Sequence, residues 1–500
     1  MLSVLTFLPL LVCAALLVPR RLPDRACLAV WVAAAAAELG LAVAVWAGYE
    51  PGGGVQFEER ARWIPSAGVG YHVGVDGLSL PLVVLTCVLF LAVAVFSLRG
   101  TPRARPYACL FLFLQAMCVG LFVSLDLILF FVFFDLSIVG MFFVIAGWGH
   151  GERARAAALK FFLYTFTGSL ALLLGFIGLY LAAEPHTFDM ADLARADPLA
   201  GRGAYAGLVL LALGFGLAVK TPTVPFHTWL PPAHTEAPAA GSAILAGVLL
   251  KMGTYGFVRI AMPLLPGSWR QYALVFIVVG AVSAVYGALV ALAQTDFKRM
   301  VAYTSVNHMG YVVLAVGAAG VLAGTDAQAR SLAVTGAVTQ MVSHGLLTGA
   351  LFLLSGVLYD RAGTYAIDAY GGLAGPAPRF AALTAVGAFA SLGIPGFSGF
   401  VAEFQIFAGS LASQAVATAI ALTGILLTAA LFLRALRGML LGPARLPGGV
   451  RTGGFRDLAA AETAAVGPLL LAALVIGVAP RFLLDVIEPA GRALVGLVAR

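Results

Sequence analysis

Residues 205–262 read YAGLVLLALGFGLAVKTPTVPFHTWLPPAHTEAPAAGSAILAGVLLKMGTYGFVRIAM. Two apolar runs, 205–230 and 239–262, flank a proline-rich link. Each has about the 20 residues with which a helix crosses the hydrocarbon core of a bilayer. Pro222 and Pro225 fall well inside the first run. Proline has no amide donor and clashes with the preceding turn, so the helix breaks there. Within a membrane such a break is tolerated only where it is enclosed by protein or lines a polar cavity. Lys220 stands directly before this break, and Lys251 lies twelve residues into the second run. The stretch therefore predicts a polytopic helical membrane protein with charges held inside it.

Working outward, the same kind of run recurs from end to end. Fourteen segments follow: 2–19, 27–48, 77–98, 107–124, 126–148, 158–183, 205–230, 239–262, 271–293, 300–323, 331–358, 380–412, 414–440 and 462–480. The first begins the chain without a basic stretch and ends in arginines, and reads as a span rather than a cleaved leader. The twelfth repeats the interruption of the seventh, in 391–404, SLGIPGFSGFVAEF, at Pro395 and Gly396. Composition agrees: 61% of residues are hydrophobic and 11% charged, against about 25% charged in soluble domains. A transmembrane β-barrel would show alternating segments of about 10 residues, and these runs are continuous. The fold class expected is an all-α integral membrane protein.

The net charge of +7 is no sign of nucleic-acid binding, because the arginines sit in short loops between apolar runs. Lys220, Lys251 and Arg259 are set aside as lying within spans. The other basic residues divide eighteen, from Arg20 and Arg21 to Arg451 and Arg456, against nine, from Arg60 to Arg492 and Arg500. The positive-inside rule puts the richer side in the cytoplasm and both termini outside. Cys13, Cys27, Cys87, Cys109 and Cys118 show neither zinc nor iron–sulfur spacing, so no redox centre is expected on this chain.

Four charges lie deep in the apolar runs: Asp135, Lys220, Lys251 and Glu403. Each costs about 2.5–3.5 kcal/mol on insertion scales. Two readings fit them, ion pairs that fix helix packing or a path that moves protons. Lysine suits the second because a desolvated amine can load and unload a proton near neutral pH. A carboxylate such as Asp135, moving towards or away from Lys220, would then switch its proton affinity. Of the seven histidines, His308 and His344 lie inside segments ten and eleven and stand in the sequence between Lys251 and Glu403. Each is a packing residue or a relay. His227 and His234 lie near the cytoplasmic end of the seventh segment, where protons would be taken up. His72, His150 and His186 read as solvated, and Arg259 as reaching the interface.

VGVDGLSL at 73–80, FFDLSIVGMFFVIAGWGH at 133–150, the 220–259 stretch, DFKRMVAYTSVNHMGYV at 296–312, QMVSHGLLTGALFLLSGVLYDR at 340–361 and GIPGFSGFVAEF at 393–404 resemble the antiporter-like membrane subunits of respiratory complex I. The resemblance implies fourteen helices, with two five-helix units of inverted topology at 107–262 and 263–440, discontinuous at helices seven and twelve. Residues 1–106 would form the N-terminal helices, and 441–500 a cytoplasmic loop, the last helix and a tail. It implies a proton relay through Asp135, Lys220, Lys251, His308, His344 and Glu403, with Asp135 one methylene shorter than the family's glutamate. Glutamate at 403 is similar to the M-type chains, whereas the L- and N-type chains and the Mrp-type sodium/proton antiporters carry lysine there. Partners would be L- and N-type neighbours in a bacterial cytoplasmic membrane. NADH, flavin, iron–sulfur clusters and quinone would be held by partner subunits. An Mrp antiporter or a membrane-bound hydrogenase is the alternative parent complex.

Overall fold

A computed structural model describes residues 1–18, 22–447 and 455–499. Arg20, Arg21, Arg451 and Arg500, used in the topology count, lie outside the described residues, as do the end of the first segment and 448–454 of the Gly- and Arg-rich connector.

Helices α1 (Leu2–Leu17) and α2 (Asp24–Ala47) lead into strands β1 (Gln56–Ile64) and β2 (Val69–Val75). Then come α3 (Leu80–Ser97), α4 (Ala104–Val123), α5 (Leu127–Trp148), α6 (Ala154–Ala182) and the short α7 (Met190–Ala196). The broken seventh segment is α8 (Gly203–Lys220) and α9 (Leu230–Glu236), and α10 spans Ala239–Leu264. Next are α11 (Pro266–Leu292), α12 (Phe297–Ala318) and α13 (Ala327–Ala362). The broken twelfth segment is α14 (Pro378–Ser391) and α15 (Ser398–Leu411), followed by α16 (Ala415–Leu440), α17 (Ala460–Val478) and α18 (Arg481–Val498). Among the described residues, eleven helices are long and apolar enough to cross a membrane.

The all-α expectation needs one correction. Residues left as a connector form an antiparallel hairpin, with Arg60 opposite His72 and Ala61 opposite Tyr71. Gly68, at φ +65°, closes its turn in the left-handed region that glycine enters at no steric cost. The hairpin is tied down rather than free. Gly70 donates its amide to Asp126 Oδ2 at 3.0 Å, and His72 Nδ1 lies 2.5 Å from Asp189 Oδ2. His72 is therefore buried, not solvated as expected. Burial alone would raise the Asp189 carboxyl. The hydrogen bond to His72, the backbone amide of Asp192 and the His72 charge outweigh it and hold the group below the usual carboxylate range.

A second correction concerns the C-terminus. Leu483, Val486, Ile487, Leu494, Val495 and Val498 are buried along one side of α18, the three-and-four spacing of an amphipathic helix. The expected tail is thus a surface helix packed on α13. Arg259 is also placed differently: its Nε donates to Tyr255 Oη at 2.9 Å and its guanidinium pairs with the Asp76 carboxylate.

The two ends of the bundle differ. At the arginine-rich end, Glu462 of α17 is buried and takes two hydrogen bonds from Arg361, 2.7 and 2.6 Å. Arg99 lies against the same carboxylate. At the hairpin end, the Met1 ammonium pairs with Glu59. Both ends carry the same small device. Asp126 caps α5 at the hairpin end, bridges Asp189, and is flanked by Leu127 N–Phe188 O and Met190 N–Leu125 O, both 2.9 Å. Asp296 caps α12 at the arginine-rich end, bridges Ala366, and is flanked by Phe297 N–Tyr365 O at 2.9 Å and Ile367 N–Thr295 O at 2.8 Å.

Helices α10 and α13 form the centre. Their most apolar stretches are 94% and 100% enclosed, whereas those of α2, α6 and α16 are 39%, 39% and 33%. Gly247 and Gly345 meet where the two central helices cross, each closely overlaid by the other's backbone carbonyl and by leucines of α3.

Candidate functional site

The crossing at Gly247 and Gly345 brings the central polar groups together. Backbones without Cβ atoms approach closely, and Lys251, one turn on from Gly247, meets His344, the neighbour of Gly345. Lys251 Nζ lies 2.7 Å from His344 Nδ1 and donates to the Ala246 carbonyl at 2.5 Å. That carbonyl belongs to a wide π turn, Leu245–Leu249, and a second wide turn, Phe257–Ala261, follows. Such turns disturb the regular helical ladder and recur at functional sites. Lys251 is fully buried.

From His344 the row continues across α12 to α15. The His344 and His308 rings are 5.4 Å apart and inclined at 66°. His344 Nε2 and His308 Nδ1 are buried without hydrogen-bond partners. Both rings line a cavity of about 10 Å³, with Gln340, Ser343, Ser391 and Glu403 on its other walls. That volume is about the least that holds one water. On the far side, His308 Nε2 is 3.6 Å from Glu403 Oε1. The break between α14 and α15 shapes this end. Gly393 has φ +72°, and the Glu403 carboxylate occupies the space a Cβ there would take.

Lys220, at the end of α8, is buried and donates to Ser137 Oγ at 3.4 Å, with its ammonium 4.6 Å from the centre of the Phe134 ring. Asp135 is not in the same contact. It forms no ion pair with Lys220; its carboxyl instead reaches towards Ser169 of α6, and one oxygen is buried without a partner. The Phe134 ring and the Ser137 hydroxyl hold the positions an acid would need. Ser137 Oγ gives its one proton to the Phe134 carbonyl at 2.6 Å and lies 3.4 Å from the Met252 sulfur, so it touches both the Lys220 side and the neighbour of Lys251.

His227 packs against Tyr286, ring centres 5.0 Å apart. His234 is fully enclosed, stacked on Phe352 at 4.5 Å, with both ring nitrogens unpartnered. Its charged neighbours are Lys298 and Lys251. Pro222 and Pro225 lie in the link between α8 and α9, and Pro395 and Gly396 in that between α14 and α15.

Residues 124–428 match the family described as NADH:quinone oxidoreductase/Mrp antiporter, TM. The chain belongs to that family. It is 40% identical over 505 residues to NADH-quinone oxidoreductase subunit M of Rhodobacter capsulatus, covering 98% of this chain and 95% of the relative. It is 37% identical over 471 residues to F(420)H(2) dehydrogenase subunit M of Methanosarcina mazei, covering 93% and 92%. A chain of respiratory complex I from Thermus thermophilus with bound NADH superimposes with TM-score 0.88 over 100% of both chains, at 31% identity. The antiporter-like resemblance read from the motifs is therefore correct.

In this family member the sequence reading overlooked three groups. Ser137 carries no charge, and nothing in its pattern marks it. Lys298 sits beside Arg299 at a span end and reads as a loop residue, yet it is fully buried, bonded to the Ala237 carbonyl and to Tyr365. Glu38, in the Ala-rich α2, is also fully buried. The test that found Glu403, a charge deep in an apolar run, would have found it.

Proposed function

We propose that this chain is the proton-translocating, M-type membrane subunit of a redox-driven complex of the NADH:quinone oxidoreductase kind. The observation that carries the reading is the buried row Lys251–His344–His308–Glu403. Lysine donates to His344 Nδ1, which leaves the ring proton on Nε2. A single water in the adjoining cavity would link that nitrogen to His308 Nδ1, and His308 Nε2 faces Glu403. Each member can take a proton on one side and release one on the other. Lys220, with Asp135 close by, forms the other half of the path, and His227 and His234 stand on its uptake side.

The finer architecture follows from the same reading. Fourteen crossings put both termini outside the bacterial cytoplasmic membrane, and the matched caps at Asp126 and Asp296, at opposite ends, support two inverted units, 107–262 and 263–440. NADH, flavin, iron–sulfur and quinone chemistry belongs to partner chains, with L- and N-type subunits as membrane neighbours. The similarity to an F(420)H(2) dehydrogenase subunit supports a second reading of the parent complex only, in which another donor feeds the same path.

The test is pumping by the assembled complex carrying Lys251→Ala or Glu403→Gln. Both should assemble, and both should lose proton release per electron pair. Wild-type pumping by both assembled variants would end this reading.

A further inference from the structure

Away from the proton path, a cavity of about 610 Å³ lies between the start of α13 and the amphipathic α18. It belongs to the hairpin end of the bundle, where the Val486 carbonyl of α18 presses on Gly77, just after β2. Arg330, in the first turn of α13, lines the cavity and is only 7% exposed. Its Nε and one terminal nitrogen are buried without a hydrogen-bond partner. Two carboxylates stand in the neighbourhood, and neither forms an ion pair with it among the described residues. Asp326 caps α13, accepting the Ala329 amide at 2.6 Å. Glu488, on the α18 wall, pairs with Arg492 at 3.4 Å. Thr335 also lines the cavity, is 1% exposed, and has no partner for its hydroxyl.

A guanidinium stays charged at every physiological pH, and a buried charge is kept where something pairs it. The charged groups on the cavity wall sum to one positive, Arg330 and Arg492 against Glu488, so the complementary ligand is an anion. The fork of an arginine fits the oxygens of a phosphate two at a time. The order of the polar groups narrows the class further. Thr335 stands five residues further into the span than Arg330, about 7.5 Å at 1.5 Å per residue. That is the order of a phospholipid, with its phosphate at the surface and its glycerol esters below. Leu332, Val495 and Ala499 make the wall apolar, as an acyl chain requires. A free phosphate ion would use Arg330 and leave the hydroxyl and the apolar wall without a partner.

We propose that this cavity binds one anionic phospholipid of the leaflet at the hairpin end, with Arg330 on its phosphate and Thr335 on a glycerol ester oxygen. The lipid joins α18 to α13 and supplies the counter-charge that Arg330 lacks within the chain. The site stands apart from the buried row of Lys251, His344, His308 and Glu403, and holds whether or not that row carries protons.

Two variants of the assembled complex test this. Arg330→Gln removes the charge, and Gly496→Phe puts a ring into the cavity without touching Arg330. Gly496 lines the cavity, and a Cβ added there meets nothing within 4 Å. Each complex is loaded from detergent micelles containing phosphatidylglycerol, washed, and its bound lipid counted by mass spectrometry. Wild type should retain one more phosphatidylglycerol per complex than either variant. Equal counts in all three overturn the proposal, whether water or a segment of a partner chain then meets Arg330. Parallel arms use phosphatidylcholine and inorganic phosphate. Equal retention of the zwitterionic lipid, or displacement of phosphatidylglycerol by inorganic phosphate, overturns the assignment to an anionic lipid. If Arg330→Gln does not assemble, Gly496→Phe decides alone: loss of one lipid supports the site, and an unchanged count overturns it.

Discussion

At Glu403 a single glycine decides where a carboxylate sits. Gly393 has φ +72°, and the acid fills the space beside its Cα. Gly393→Ala therefore brings about 1–2 kcal/mol of left-handed strain and expels the carboxyl from the cavity shared with His308. Pumping should fall in an assembled complex, and unaltered pumping would show that Glu403 need not face His308. Asp135 invites the opposite experiment. It stops short of Lys220, and a glutamate adds one carbon–carbon bond, about 1.5 Å. Asp135→Glu should keep or raise the proton yield per electron pair, and Asp135→Asn should lower it; equal yields in the two variants would remove Asp135 from the path. Lys220, Lys251 and Glu403 were legible in the sequence because a charge in an apolar run is conspicuous. The Lys251–His344 contact was not, because its members lie 93 residues apart in sequence and meet only where Gly247 and Gly345 cross.

Among the elements, the broken helices were legible and the hairpin was not. Prolines announce a break by removing a donor, whereas Gln56–Ile64 reads as charged connector until its partner strand and Asp189 are known. The hairpin should also show a pH dependence. Asp189 has a folded value below its ordinary one, so its contribution is complete above the unfolded aspartate value of about 3.9. It is lost as pH falls through the lower, folded value. Protection of the β1 and β2 amides, taken relative to their intrinsic exchange rates at each pH, should therefore fall on acidification through that range. In Asp189→Asn protection should already be low at neutral pH and show less change, and identical profiles would rule out the His72–Asp189 anchor.

On the scale of the whole molecule, the arginine-rich end is gathered at one acid. Glu462 joins α17 to Arg361 of α13 and to Arg99, just beyond α3. Removing one partner of a buried charge pair costs about 3–5 kcal/mol. Glu462→Ala should lower the thermal midpoint of the complex and the amount assembled, while Lys251→Ala leaves both near wild type. A Glu462→Ala complex of unchanged midpoint would argue that the cluster is solvated. The richer basic side was legible as loop composition, but its closure on one carboxylate was not, since Glu462 reads as an ordinary first-turn acid.

The hydroxyl of Ser137 gives its proton to the Phe134 carbonyl, and the sulfur of Met252 lies on its other side. A thioether accepts a hydrogen bond but has no proton to hand on. The run of polar atoms from Lys220 therefore ends on a backbone carbonyl and beside a thioether, one residue short of Lys251. A membrane charged on one side would otherwise short-circuit through its own pump. On the proposed path, this gap would let the resting protein hold the voltage until that contact rearranges.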